Sequence, residues 1–236
     1  MNFRSGLLLL PFLSLITYTA IGQADSAINS SAETRVSRSL GHQMILPGAL
    51  VTYGVVALNS NKLLSLDNEI KEEVWTEHPH LPYRIDDYAQ YLPGLSVFGL
   101  HAMGINGKNP LRVATRRYLI SYAIMSVIVQ SVKRISMIQR PNGSGNNAFP
   151  SGHTATAFVG AEFLNQEYGY KSPWYSIGGY IIASAVGYLR IYNNRHWARD
   201  VIAGAGVGIG TTKLVYGLAR QFRPRQGTNA KISYLY

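Results

Sequence analysis

The chain has no cysteine, which excludes a disulfide framework, a thiolate metal centre and a thiol nucleophile. Charge is scarce as well: 14% of residues are charged, where soluble domains carry about a quarter. Acid is scarcest after residue 100, where only Glu162, Glu167 and Asp200 stand against 16 Lys and Arg; residues 1–99 hold 6 basic and 9 acidic side chains. Long hydrophobic runs are few and mean hydropathy is only +0.01. No internal repeat or low-complexity tract is evident. What the chain does have is 47% hydrophobic residues, enough to fill a core and to exclude intrinsic disorder. Its 236 residues fit one domain with an appendage. The formal net charge of +10, concentrated in the second part, expects an anionic partner such as nucleic acid, phosphate or a membrane surface.

The amino end narrows that choice. Arg4 precedes an apolar run from Leu7 to Ile21, and Ala20-Ile21-Gly22 places small residues before Gln23. This is the pattern of a secretory signal peptide, and export makes nucleic acid the wrong partner. The other reading is a retained first membrane helix. Further apolar stretches follow at Met44–Leu58, Tyr88–Ile105, Tyr118–Val132, Trp174–Leu189 and Val201–Leu218, with a shorter one at Thr154–Leu164 that contains Glu162. Most fall short of the ~20 residues that cross a bilayer comfortably, so a compact soluble helical domain stays open. Val201–Leu218 favours the membrane: its one charge is Lys213, and Gly204, Gly206, Gly208 and Gly210 form two small-xxx-small pairs that permit close helix approach in lipid.

The loops sort by charge. Segment 107–117 carries Lys108, Arg112, Arg116 and Arg117 without acid, and the tail carries Arg220, Arg223, Arg225 and Lys231; both are expected on the cytoplasmic side. Segments 133–153 and 190–200 then share the periplasmic side. By parity, Met44–Leu58 is expected not to cross once but to be re-entrant, interfacial or packed in the periplasm, and 60–87 to form a short amphipathic helix and a solvated loop. His78-Pro79-His80 is expected in an exposed loop rather than as a metal pair.

Two clusters on the shared side carry the chemistry. One is Lys133, six residues, Arg140-Pro141, then Pro150-Ser151-Gly152-His153; the other is Arg190, five residues, His196, three residues, Asp200. Lys133, Arg140 and Arg190 can surround one tetrahedral anion, with arginine supplying a bidentate fork and lysine a point charge. Ser151 and Gly152 open a helix whose amides favour an anion. His196 and Asp200 lie one helical turn apart, so the carboxylate can orient the imidazole and leave its other nitrogen free to attack phosphorus. His153 is available to protonate a leaving oxygen. Arg134, Arg195, Arg199 and Lys108 are extra cations, read as a basic rim.

These three segments resemble the three-part signature of the type-2 phosphatidic acid phosphatase and vanadium haloperoxidase superfamily, with Leu189 standing where that family usually has Ser or Gly. The resemblance implies an all-α bundle of about five or six helices, membrane-embedded, with the active site at the periplasmic helix ends. It implies catalytic roles for His196, His153 and Asp200, phosphate contacts from Lys133, Arg140, Ser151, Gly152 and Arg190, and no metal or other cofactor. The sequence around His153 and His196 is similar to bacterial envelope members, some of which dephosphorylate lipid A. The resulting expectation is a metal-independent phosphomonoesterase of a membrane lipid, lipid A first, in the inner membrane and working through a phosphohistidine. The partners expected are the phosphorylated lipid and the membrane, with no expectation about oligomeric state. The organisation expected is a signal peptide at 1–22, a periplasmic or interfacial region at 23–87, a phosphatase core at 88–220 and a basic tail at 221–236. A soluble periplasmic acid phosphatase and a non-catalytic lipid-binding or transport protein are the alternatives.

Overall fold

The computed structural model describes residues 40–221. The expected leader and all but the first residue of the basic tail lie outside the described residues. Among those described, the chain forms eight α-helices and no strand: α1 (Leu40–Ala57), α2 (Asn61–Lys71), α3 (Asp86–Ala89), α4 (Leu92–Ala102), α5 (Leu111–Ser136), α6 (Gly152–Tyr168), α7 (Pro173–Tyr192) and α8 (Ala198–Gln221), with one π-helical turn, Glu72–Thr76, prolonging α2. The all-α expectation holds. The count exceeds the five or six expected because the apolar stretch Tyr88–Ile105 is broken near Gln90 and Tyr91 into the single turn of α3 and the short α4, and because α2 adds a helix of its own.

Local chemistry sets the helix ends. Ser151 caps α6, its hydroxyl accepting from the Thr154 amide, and Ser172 caps α7 ahead of Pro173, a residue preorganised for the first helical position. Past its end, α5 closes on Met137 in the left-handed region at φ 47°. At the start of α8 the Asp200 carboxylate reaches back 2.9 Å to accept from the Trp197 amide, the reciprocal half of a capping box. The peptide between Phe149 and Pro150 is cis.

The helix α6 is the axis of the bundle. It is walled in by α4, α5, α7 and α8, and nearly every residue from Thr154 to Tyr168 is buried. The sequence shows only a short apolar stretch here because the helix is built from small residues and also carries Glu162, Asn165 and Glu167. Those polar groups are satisfied internally. Glu162 accepts from Tyr180 and from Gln166, Asn165 accepts from Ser176, and Glu167 accepts from Asn109 and from the Tyr216 hydroxyl at 2.6 Å. Buried polar groups with partners are tolerated where unpaired ones are not.

The two glycine pairs of α8 face two different helices. A Cβ at Gly204 or Gly208 would lie 2.5 Å from the Ser151 carbonyl oxygen or 2.4 Å from that of Ala155, both on α6. Gly206 and Gly210 instead meet Pro47 of α1. Gly208→Ala therefore forces backbone against backbone and should cost about 1–3 kcal/mol of stability. Gly178→Ala, where nothing lies within 4 Å of the added carbon, should cost nothing. Thermal unfolding of the two variants in one detergent checks the contrast.

Three helices, α1, α5 and α8, are long and apolar enough to cross a membrane. The 26 residues of α5 extend about 39 Å at 1.5 Å per residue, more than a hydrocarbon core. Whereas α8 is mostly enclosed, α1 and α5 are outer helices. They expose Ile45, Val55 and Val56, and Leu119, Ile120, Val127 and Ile128, apolar side chains of the kind a bilayer covers. Met44–Leu58, expected not to cross, thus lies in a helix of sufficient length, because helical structure begins upstream at Leu40 and Pro47 does not end it.

Candidate active site

One end of the bundle gathers the carboxyl end of α5, the amino end of α6, the carboxyl end of α7 and the amino end of α8. Lys133 lies in the last turn of α5 and donates to the carbonyl of Asn147. Arg140, in the following loop, donates from Nε to Asn147 Oδ1 at 2.8 Å. The loop 138–150 thus folds back over its own cations. Ser151 joins it to α8, since its amide donates to the Asp200 carbonyl at 2.9 Å. The Ser151 hydroxyl accepts from the Thr154 hydroxyl at 2.9 Å, so its own proton stays available to a phosphate oxygen. At Gly152 and His153 the amides occupy the first turn of α6, where no intrahelical acceptor exists.

His196 is buried, with Nδ1 3.5 Å from Asp200 Oδ2. Burial, followed by the positive charges of Lys133, Arg190 and Arg140, holds its imidazole well below the usual histidine range. Neutral imidazole is the nucleophilic form. The same electrostatics show that the sequence-predicted groups converge: Lys133, Arg140, Arg190 and His153 all act on His196. Arg190 is buried, and its Nε is among the buried polar atoms without a hydrogen-bond partner. The Nδ1 of His196 and Oδ1 of Asp200 are also unpartnered. The idle Nε donor of Arg190 beside His196 equips the site to bind an oxyanion.

Two acidic residues absent from the sequence reading belong to this cluster. Asp86, fully buried on α3, accepts from Arg190 Nη1 and from Asn193 Nδ2 at 3.2 Å. Its neighbour Asp87 lies with Oδ1 3.1 Å from His153 Nε2 and 3.7 Å from Arg190 Nη1. The approach to them is fixed by the segment before α3. His80 stacks on Tyr192 with ring centroids 3.7 Å apart, and Tyr83 exchanges hydrogen bonds with Asn193. Hence His78 is exposed as expected but His80 is docked on the end of α7. The one signal in the sequence was an excess of cations needing counter-charge next to an unexplained Asp-Asp pair.

The basic rim needs correcting at two positions. Arg199 is buried, paired with Asp67 of α2 and set 5.1 Å from the Trp197 ring centroid, which Lys71 approaches to 5.6 Å. Lys71 donates to the Pro141 carbonyl at 3.0 Å and the Trp197 indole donates to that of Gln139 at 2.9 Å. Arg199 is therefore part of a brace that ties α2 to the loop after α5 and to the start of α8. Lys108 lies at the opposite end of the bundle, its amide donating to the Glu167 carbonyl, while Arg134 is exposed and Arg195 partly so.

The chain is similar in sequence and in fold to known proteins. The model of the PAP2 superfamily matches residues 114–224, which include every motif residue named from the sequence. A curated lipid A 1-phosphatase of Porphyromonas gingivalis is 35% identical over 99% of this chain. The chain spans 55% of that protein's length. In fold it is similar to the crystal structure of a transmembrane PAP2 type phosphatidylglycerolphosphate phosphatase from Bacillus subtilis, with a TM-score of 0.56 at 19% identity over 77% of this chain and 99% of the other. The structure of Aquifex aeolicus LpxE aligns with a TM-score of 0.48 at 25% identity over 65% of this chain and 93% of that one. Residues 114–224, which carry every one of these motifs, match the PAP2 superfamily.

Proposed function

We propose that the chain is a metal-independent phosphomonoesterase that removes a phosphate from a membrane lipid, lipid A first, through a phosphohistidine on His196. The observation that carries this reading is a neutral, buried His196 beside Asp200 in the field of Lys133, Arg140 and Arg190. Those three cations, with the Ser151 hydroxyl and the first amides of α6, neutralise the phosphoryl oxygens. His196 Nε2 forms the bond to phosphorus as the bond to the lipid oxygen breaks, and His153 gives that oxygen its proton. Asp200 stabilises the positive charge that the ring acquires. Water then attacks phosphorus, its proton passes to His153, and the P–N bond breaks to release inorganic phosphate and restore the neutral ring.

The lipid choice is supported by the curated relative, named a lipid A 1-phosphatase. The exposed apolar flanks of α1 and α5 favour this reading over a soluble periplasmic phosphatase. A periplasmic site is supported by the basic segment 107–117, which adjoins the far end of the bundle and suits the cytoplasmic side.

The test is incubation of the purified chain in detergent with lipid A, followed by mass spectrometry. Loss of one phosphate per lipid is expected, unaffected by a chelator of divalent metals. Phosphate release that stops on chelation would end the metal-independent mechanism, and intact lipid A with hydrolysis of glycerophospholipid phosphates would move the substrate assignment.

A further inference from the structure

Asp87 lies outside the three motifs and outside the residues matched by the family model, yet it touches the leaving-group side of the site. We propose that Asp87 is a positioning residue that orients the His153 imidazole toward the leaving oxygen, so that the site contains a second carboxylate–histidine pair. This inference rests on the role given to His153 under Proposed function.

Three observations point to it. First, the contact is direct, 3.1 Å from Asp87 Oδ1 to His153 Nε2. Second, its geometry is imposed rather than accidental. Asp86 is locked by Arg190 and Asn193, Tyr83 is bonded to Asn193 in both directions, and the one-turn helix α3 then directs the next residue at α6. Third, Asp87 is a persistent anion. Burial opposes its charge, but the hydrogen bonds from Arg84 and His153 and the charge of Arg190 keep its carboxyl below the usual range.

The electrostatic need is visible at His153. Burial and then Arg190 draw its imidazole below the usual value, and the Asp87 bond with the charges of Asp86 and Asp87 offsets only part of that lowering. His196, the other ionisable group interacting with it, is neutral. Without that carboxylate, His153 beside Arg190 would lose its proton at a still lower pH and have less of it to give. The division of labour is reciprocal. His196 stays neutral until phosphorus binds, while Asp87 raises the share of His153 that carries a proton to give. When the lipid oxygen leaves, the proton moves from His153 to that oxygen; it returns to His153 from the attacking water.

Asp87→Asn in the full chain separates this from a structural role. Its kcat on an alkyl phosphate lipid should fall about 10- to 100-fold more than on p-nitrophenyl phosphate, whose leaving group needs little protonation. The basic limb of the alkyl pH–rate profile should move to lower pH, because loss of the carboxylate lets His153 release its proton sooner. Asp87→Glu, which keeps the charge, should recover part of the difference. Equal losses on both substrates, an unmoved basic limb, or a lower KM with kcat unchanged would each overturn the proposal, the last by showing that Asp87 merely occupies the phosphate site. His153→Ala is the reference. If it loses no more on the alkyl than on the aryl substrate, the acid assignment of His153 fails and takes this inference with it. If it discriminates and Asp87→Asn does not, only this inference fails.

Discussion

His196→Ala is expected to reduce phosphate release from the lipid by on the order of 10⁴-fold or more, because no other group can take over as nucleophile. Among the described residues the other imidazole acting on this site is that of His153, which is engaged by Asp87. Rapid quenching of the wild-type chain with phosphate-labelled lipid should trap a labelled, acid-labile protein species that His196→Ala lacks. The variant should still fold. Its side chain makes no hydrogen bond that would be left open, since Nδ1 is unpartnered already, so the loss is a small cavity beside Asp200. Lipid binding should survive as well, because Lys133, Arg140 and Arg190 remain. A loss of activity with retained lipid binding is what distinguishes a missing nucleophile from a collapsed site. Near wild-type release from His196→Ala would remove the phosphohistidine route.

Much of this site was legible in the sequence because its chemistry is local. His196 and Asp200 are one turn apart, Ser151 and Gly152 open the helix that carries His153, and Lys133 and Arg140 bracket the end of α5. What the sequence could not show depends on partners far along the chain. Asp86 and Arg190 are separated by 104 residues, as Asp67 and Arg199 are by 132, and no periodicity reports such pairings. The same blindness hid α6. Its Glu162 and Glu167 look like reasons to end a buried helix until Tyr180, Tyr216 and Asn109 are seen to satisfy them. Arg199 looked like a rim cation for the complementary reason, since its counter-charge lies on α2. The glycines of α8 were readable as close-approach positions, but not that alternate pairs serve α6 and α1.

Asp200→Asn is the other large effect, and its size follows from which atom faces which partner. Asp200 Oδ2 accepts from the Trp197 amide at 2.9 Å and lies 3.5 Å from His196 Nδ1. In the amide variant the Trp197 N–H still requires an oxygen there, so the side chain should settle with its carbonyl toward Trp197 and His196. An oxygen then still faces His196 Nδ1, as the carboxylate oxygen does at 3.5 Å. What is lost is the carboxylate's negative charge, which burial already weakens by pushing the Asp200 carboxyl up to about 7. An opposite charge this close shifts a histidine by about one to three pKa units, so the charge that develops on the ring during attack loses support worth about 10- to 1,000-fold in rate. That is less than the loss from His196→Ala. Asp200→Ala should fall further, because it also leaves the Trp197 amide and the start of α8 uncapped at a cost of about 1 kcal/mol. The order to be measured, in kcat with lipid substrate at neutral pH, is wild type, then Asp200→Asn, then Asp200→Ala, then His196→Ala. Asp200→Asn as inactive as His196→Ala would mean that the carboxylate accepts a proton or sets the tautomer, and that its role goes beyond stabilising charge on the ring.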